Sequence, residues 1–385
     1  MIKPSTAHSR EIDSLRCIAM TAVVAMHSKI LPFGWTGVWL FFVISGYVVT
    51  LSIARHGEVS SSLSRMRKFF SRRAVRILPV YYLFVAVGVL VTGMIGIHQN
   101  PYTLLSLVAF YHNIAMATGF GDMASWPVGH LWTISIEMQF YLCYGLITCL
   151  CRPRTTVKLL IAFLIAAPVA RALSSAWLTE LGWDPLWTAY AIYAGPGLHF
   201  DSFAIGALLA WASMRIPLPQ ISRVMVPVGF AAITLYCAIY LAINWFVLGR
   251  HDLEVLHDVI SGVLYGQGRE IFLYSALGLF SLAVLLLAAT RHRSTQWLLG
   301  QPALQWVGKV SYGGYVYHTL CMKLASQFLF HSSKGLGLDG VSLGSHIALF
   351  VTSLALTLAL AGLSFRFLEM PVQRFFSSRQ ENSKL

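Results

Sequence analysis

Arg16 and His27 bracket the run RCIAMTAVVAMH, whose intervening residues are almost all apolar. Eleven residues at 3.6 per turn make about three turns, so both ionisable tips share one helical face, about 16 Å apart along the axis. A second set lies in RMRKFFSRRAVRILP, where Arg73 and Arg76 sit three apart on one face. Guanidinium forks grip phosphate oxygens bidentately, so a phosphorylated ligand would meet that pair first. For Arg65, Arg67 and Lys68 in the same stretch, topology and attraction to anionic lipid are explanation enough. A third set is GHLWTISIEMQFYL. Its Glu137, between Trp132 and Tyr141, is a carboxylate inside an apolar run and needs a partner, either Arg16, His27 or Arg73. Tyr141 lies one turn beyond on the same face. The rival reading is half of an ion pair that only fixes packing. The fourth set is GKVSYGGYVYH, where Ser311, Tyr312, Tyr315 and His318 put polar tips on one side of a span. They line a cavity or, as tyrosines often do, anchor an interface. Asp201 reads as a helix cap, and Glu369-Met370-Pro371 as a helix stop with an ion pair.

These groups are informative because of their surroundings. Apolar residues make up 57% of the 385-residue chain and charged residues 11%, against about 25% charged in a soluble domain. The mean hydropathy of +0.67 agrees. Charged groups at membrane depth are costly and mark function; here they are Arg16, His27, Glu137, Asp201, His318 and Lys323. Apolar runs of about 20 residues, long enough to cross, lie near 12–31, 37–54, 77–97, 131–150, 157–173, 198–214, 224–247, 271–290, 310–330 and 346–366. Of the 28 Lys and Arg, Arg16 and Lys323 fall inside spans, and only Lys29, Arg171, Arg250, Arg269 and Lys334 face away from the rest. Positive residues stay cytoplasmic, so both termini are expected there. Run 103–118, interrupted by Tyr111, His112 and Asn113, cannot cross without breaking that alternation. The expected fold is an all-α integral membrane protein, a bundle of about ten transmembrane helices with one re-entrant or interfacial helix near 103–118. It forms one domain over 1–385, with its core at about 10–375. The small-residue step Ser45-Gly46 in GVWLFFVISGYVVT suits close helix packing.

The net charge of +13 orients helices rather than binding nucleic acid. The six cysteines show neither paired spacing nor CxxC, so no metal site or disulfide framework is expected. No cleavage site follows the first apolar run, so that helix is expected to be retained. There is no GxSxG, P-loop or dinucleotide fingerprint.

The ordered series IDSLRCIAMTAVVAMH, GVWLFFVISGYVVT, RRAVRILPVYY, GHLWTISIEMQFYL, FDSFAIGALLA, GKVSYGGYVYH and FLEMP resembles the membrane-bound acyltransferase-3 family from about residue 10 to 375. The resemblance implies transfer of an acyl group, usually acetyl from acetyl-CoA, to a hydroxyl of a bacterial envelope glycan or lipid-linked sugar. It assigns the family's first-span pair to Arg16 and His27, its basic pair to Arg73 and Arg76 with Arg72 alongside, its glutamate to Glu137 and its late histidine to His318. Many members carry an acid where Trp39 stands, so any role of that carboxylate is absent or moved to Asp13 or Glu137. The extracytoplasmic esterase-like domain that some members carry after the bundle is not expected here.

The reaction needs a base for the acceptor hydroxyl and a stabilised oxyanion. His27 is the expected base, oriented by Glu137 or Asp13. Arg16 holds the thioester or pairs with Glu137. Arg72, Arg73 and Arg76 take the CoA phosphates, and Trp132, Tyr141, Tyr315 and His318 take the acceptor. Acyl-CoA is a donor substrate and no bound cofactor is expected; polysaccharide-assembly proteins are the expected partners, in the bacterial inner membrane. The rival functions are a glycan or lipid transporter, and an O-acyltransferase for a small molecule such as a macrolide. A transporter would show inverted repeats and broken helices in both halves, and the sequence shows neither.

Overall fold

The computed structural model describes residues 10–54, 62–260, 266, 268–330 and 342–382. Arg55 and Lys334, both part of the charge pattern, lie outside the described residues. Among those residues the elements are helical: α1 Arg10–His27, α2 Gly37–Ala54, α3 Ser62–Met94, α4 Pro101–Val108, α5 His112–Ala117, α6 Trp132–Leu150, α7 Pro153–Glu180, α8 Pro185–Ala194, α9 Phe200–Ser213, α10 Leu218–Ala242, α11 Leu253–Asp258, α12 Arg269–Ala289, α13 Arg293–Leu299, α14 Pro302–Phe330, α15 Leu343–Ser364 and α16 Met370–Asn382. Among the described residues, seven stretches are long and apolar enough to cross a membrane: Gly34–Ala54, Ser62–Met94, Gly129–Leu150, Pro153–Glu180, Leu218–Val247, Arg269–Ala289 and Leu343–Phe376. This is an all-α, multi-pass membrane architecture. Helices satisfy every backbone group internally, which lipid demands.

The chain folds as two compact units. One comprises residues up to Met26, Leu31–Gly57 and Cys151–Gly308. In it, α2 and α9 approach at their small residues: a methyl added to Gly46 would strike the Phe203 carbonyl, and one added to Gly206 would strike that of Val43. The Ser45-Gly46 step thus serves packing, as its composition suggests. Around this seam, Ile12, Leu15, Val43, Ile44, Ile205, Leu209, Leu282 and Leu285 form a buried core.

Two expectations are corrected in this unit. Arg171 does not belong to the outward-facing charges; it lies inside the 28-residue α7 and is fully buried. Asp201 does not cap α9. The N-cap is His199, and Asp201 pairs with Arg171 at 3.0 Å. An unpaired charge at that depth would be far costlier than a frayed helix end, so the ion pair takes the carboxylate.

The second unit comprises His27–Ile30, Glu58–Leu150 and Lys309–Leu385. Here α3 runs for 33 residues straight through Pro79, so the basic stretch ahead of the expected span at 77–97 is helical from Ser62. Lys and Arg are good helix formers, and apolar-run counting misses them. Arg65, read as a lipid-facing charge, donates to the Cys149 carbonyl at 2.9 Å and so closes the end of α6. The expected single helix at 103–118 is split into α4 and α5, of eight and six residues, with Phe110 at a positive φ of 58° between them. Neither is long enough to cross. The Tyr81 and Tyr82 hydroxyls on α3 hold α4 by the Leu107 and Val108 carbonyls, at 2.9 and 2.8 Å. At Glu369-Met370-Pro371 the helix does not stop: α15 continues through a π turn, Phe365–Glu369, into α16. The wider turn absorbs the N–H that Pro371 lacks.

Candidate functional site

The second unit gathers three imidazoles from three separate stretches of sequence. His27 ends α1, His130 lies in the 3-10 turn Gly129–Leu131 that starts α6, and His318 projects from α14. The His27 and His318 ring centroids are 5.2 Å apart, and those of His130 and His318 4.8 Å. His318 is fully buried. Its Nδ1 lies 2.6 Å from the Tyr315 carbonyl. A carbonyl oxygen can only accept, so Nδ1 carries the proton and Nε2 keeps its lone pair. Nε2 has no hydrogen-bond partner among the described residues. A buried lone pair without a donor is costly, and a native structure that keeps one calls for an explanation.

His130 was invisible to sequence reasoning, which placed it in a loop before the span. Both of its nitrogens are engaged, with the Val316 carbonyl at 3.0 Å and the Thr319 hydroxyl at 3.1 Å. The one signal that could have found it is its place three residues before Thr133, at the start of a helix that carries Glu137.

The acidic and basic candidates form a second group in the same unit. The Tyr141 hydroxyl donates to Glu137 Oε1, and Tyr141 also hydrogen-bonds Arg73, whose guanidinium carbon lies 5.9 Å from the ring centroid. Glu137 acts electrostatically on Arg73 as well, so one of its expected partners, Arg73, stands in the same group. Arg76 is half-buried and makes no hydrogen bond or ion pair with another described residue. Arg72 is likewise half-buried on α3. The Tyr312 hydroxyl donates to the Ile77 carbonyl at 2.8 Å and so ties α14 to α3. Glu369, on the π turn, is 4% exposed and is the carboxylate on which Arg76 acts. Its Oε1 has no hydrogen-bond partner.

Several expected site residues turn out to be occupied. The Tyr315 hydroxyl donates to the His130 carbonyl at 3.1 Å and accepts from Thr133 at 2.8 Å. Trp132 is buried at the start of α6. Lys323 donates to the Ser125 carbonyl at 2.8 Å. In the short helix α5, burial pushes the His112 imidazole down to about 4, so it is neutral at physiological pH, and its Nδ1 lies 3.1 Å from the Ser106 hydroxyl. Trp39 and Arg16 belong to the first unit. Trp39 is fully buried and stacked on Tyr274 with centroids 5.0 Å apart; no carboxylate stands there. Arg16 lies on the same helix as His27, about three turns away, and is buried.

A family model described as the acyltransferase domain matches residues 9–366. Among curated proteins, the chain is 26% identical over 406 residues to a peptidoglycan O-acetyltransferase of Listeria monocytogenes, covering 97% of this chain and 58% of that protein. It is 28% identical over 404 residues to a Bacillus subtilis protein provisionally named as a peptidoglycan O-acetyltransferase, covering 97% and 57%. It is 24% identical over 382 residues to a Staphylococcus aureus protein provisionally named as an O-acetyltransferase, covering 94% and 57%. The chain thus spans well under two thirds of these relatives. No solved structure matches it. The match over nearly the whole chain places this protein in the acyltransferase family to which the ordered motifs pointed.

Proposed function

We propose that this chain is a membrane O-acyltransferase that moves an acetyl group from acetyl-CoA, held on the cytoplasmic side, to a hydroxyl of an envelope glycan. The observation that carries the reading is the pair of imidazoles His27 and His318, 5.2 Å apart, one of them with a buried, unpartnered nitrogen. The acceptor is of the peptidoglycan class, the class named for the Listeria and Bacillus relatives.

In the proposed step, His27 takes the acceptor's hydroxyl proton as its oxygen attacks the thioester carbonyl. The new O–C bond forms, the C–S bond breaks, and the imidazolium returns its proton to the CoA thiolate. His318 Nε2 accepts a hydrogen bond from the acceptor and orients it. Arg73 and Arg76, with Arg72 beside them, hold the CoA phosphates, and Glu137 with Tyr141 fixes Arg73. We further propose that α1, α9 and α14 complete ten crossings, with both termini in the cytoplasm of a bacterial inner membrane. Polysaccharide-assembly proteins would then present the acceptor from the far side.

The test is thiol release by purified protein in nanodiscs given acetyl-CoA and peptidoglycan fragments. Glycan-dependent release, with acetylated fragments in the mass spectrum, is expected from native protein and lost in His27→Ala. No CoA turnover with any glycan would sink the enzyme reading and favour a transporter.

A further inference from the structure

His130 sits in a network to which the proposed step gives no part. Its Nε2 faces the Val316 carbonyl at 3.0 Å. An acceptor-only partner places the proton on Nε2, which leaves Nδ1 to accept from the Thr319 hydroxyl at 3.1 Å. Thr319 lies 3.3 Å from the Pro127 carbonyl as well. In return, the Tyr315 hydroxyl donates to His130's own carbonyl, and Thr133 donates to that phenol. The turn around His130 is therefore stitched to residues 315, 316 and 319 of α14, on either side of His318. The two rings are 4.8 Å apart and inclined at 75°, and no hydrogen bond joins them. With both nitrogens committed, His130 has no lone pair to offer a proton. It is neither a base nor a link in a proton wire.

We infer that His130 is a positioning residue, a clamp that holds one turn of α14 so that His318 keeps its proton on Nδ1 and presents a bare Nε2. The Tyr315 carbonyl that fixes the His318 tautomer lies in the clamped turn. If that turn relaxes, the 2.6 Å contact opens and either ring nitrogen can carry the proton. This inference rests on the acyl-transfer reading for its kinetic consequence but not for its structural one.

The experiment therefore has two arms. In nanodiscs, 15N spectra of histidine-labelled protein, assigned with His318→Asn, should show His318 as a single Nδ1–H tautomer. The mixture of both tautomers should appear in His130→Ala. In the thiol-release assay, His130→Ala should lower kcat by about 10- to 100-fold, the size expected when a reacting group is slightly misplaced, with KM for acetyl-CoA unchanged. His130→Gln keeps a side-chain N–H for the Val316 carbonyl and should recover to within about fivefold, the effect of one retained hydrogen bond. Thr319→Val, which removes only the partner of Nδ1, should lie between these two. An unaltered His318 tautomer in His130→Ala overturns the clamp. So does full kcat per folded molecule in that variant. If His130→Gln is as slow as His130→Ala and added imidazole rescues the latter, His130 moves a proton itself and the inference fails. Native protein without CoA turnover would count against the enzyme reading alone, because the spectra still decide the clamp.

Discussion

Two buried polar nests, one in each unit, make opposite use of the same kind of expense. In the first unit, the Arg171 guanidinium donates to Asp201 and to the Ile271 carbonyl at 3.0 Å each, to Ser275 at 2.6 Å and to the Leu198 carbonyl. Ser275 passes its own proton to Asp201 at 2.8 Å, and the Ser202 amide takes the remaining carboxylate oxygen at 2.9 Å. This nest leaves no oxygen of its carboxylate unanswered. In the second unit, His318 ends with one nitrogen satisfied and one bare. A closed nest of this kind fixes helices, whereas under the proposed function the open one receives the acceptor.

That contrast can be broken in order of expected effect. His27→Ala and His318→Ala should each cut glycan-dependent thiol release by about 10²- to 10⁴-fold, the usual range for a lost acid–base group, while the thermal midpoint in nanodiscs hardly moves. Arg171→Met should do the reverse: it strands Asp201 in the core, costing about 3–5 kcal/mol of stability. The double variant Arg171→Met/Asp201→Leu should recover most of that loss. If Arg171→Met instead lowers kcat with the midpoint intact, the first nest is catalytic and the comparison fails. Arg76→Gln should raise KM for acetyl-CoA by about tenfold, the loss of one charge-assisted contact, and leave acceptor KM alone. A change confined to the acceptor would remove Arg76 from donor binding. Smallest of all, Tyr141→Phe should raise donor KM by about two- to threefold, as Arg73 loses its hydrogen bond.

Helices were largely legible because lipid enforces long apolar runs, and RCIAMTAVVAMH does lie on one helix, α1. The failures have a common cause: counting apolar runs sees hydrocarbon, not helix. Basic residues 65–76 extend α3 ahead of its apolar run, and Arg171, near the end of the expected span 157–173, was counted with the outward-facing charges although α7 runs on to Glu180. Glu369 was taken for a stop because the sequence carries no mark of a π turn. His130 stayed hidden because its value lies in partners some 185 residues away along the chain, a relation that local spacing cannot express. The Asp201 cap failed for the same reason, since Arg171 was not in view.

The interlocked glycines of α2 and α9 have a mechanical meaning. Gly46 is seated against the Phe203 carbonyl and Gly206 against that of Val43, so each helix is keyed to the other at two depths. Sliding by even one residue would drive a side chain into a backbone that has no room for it. These two helices must travel as one piece in any working cycle, and a single alanine at either position would act as a wedge.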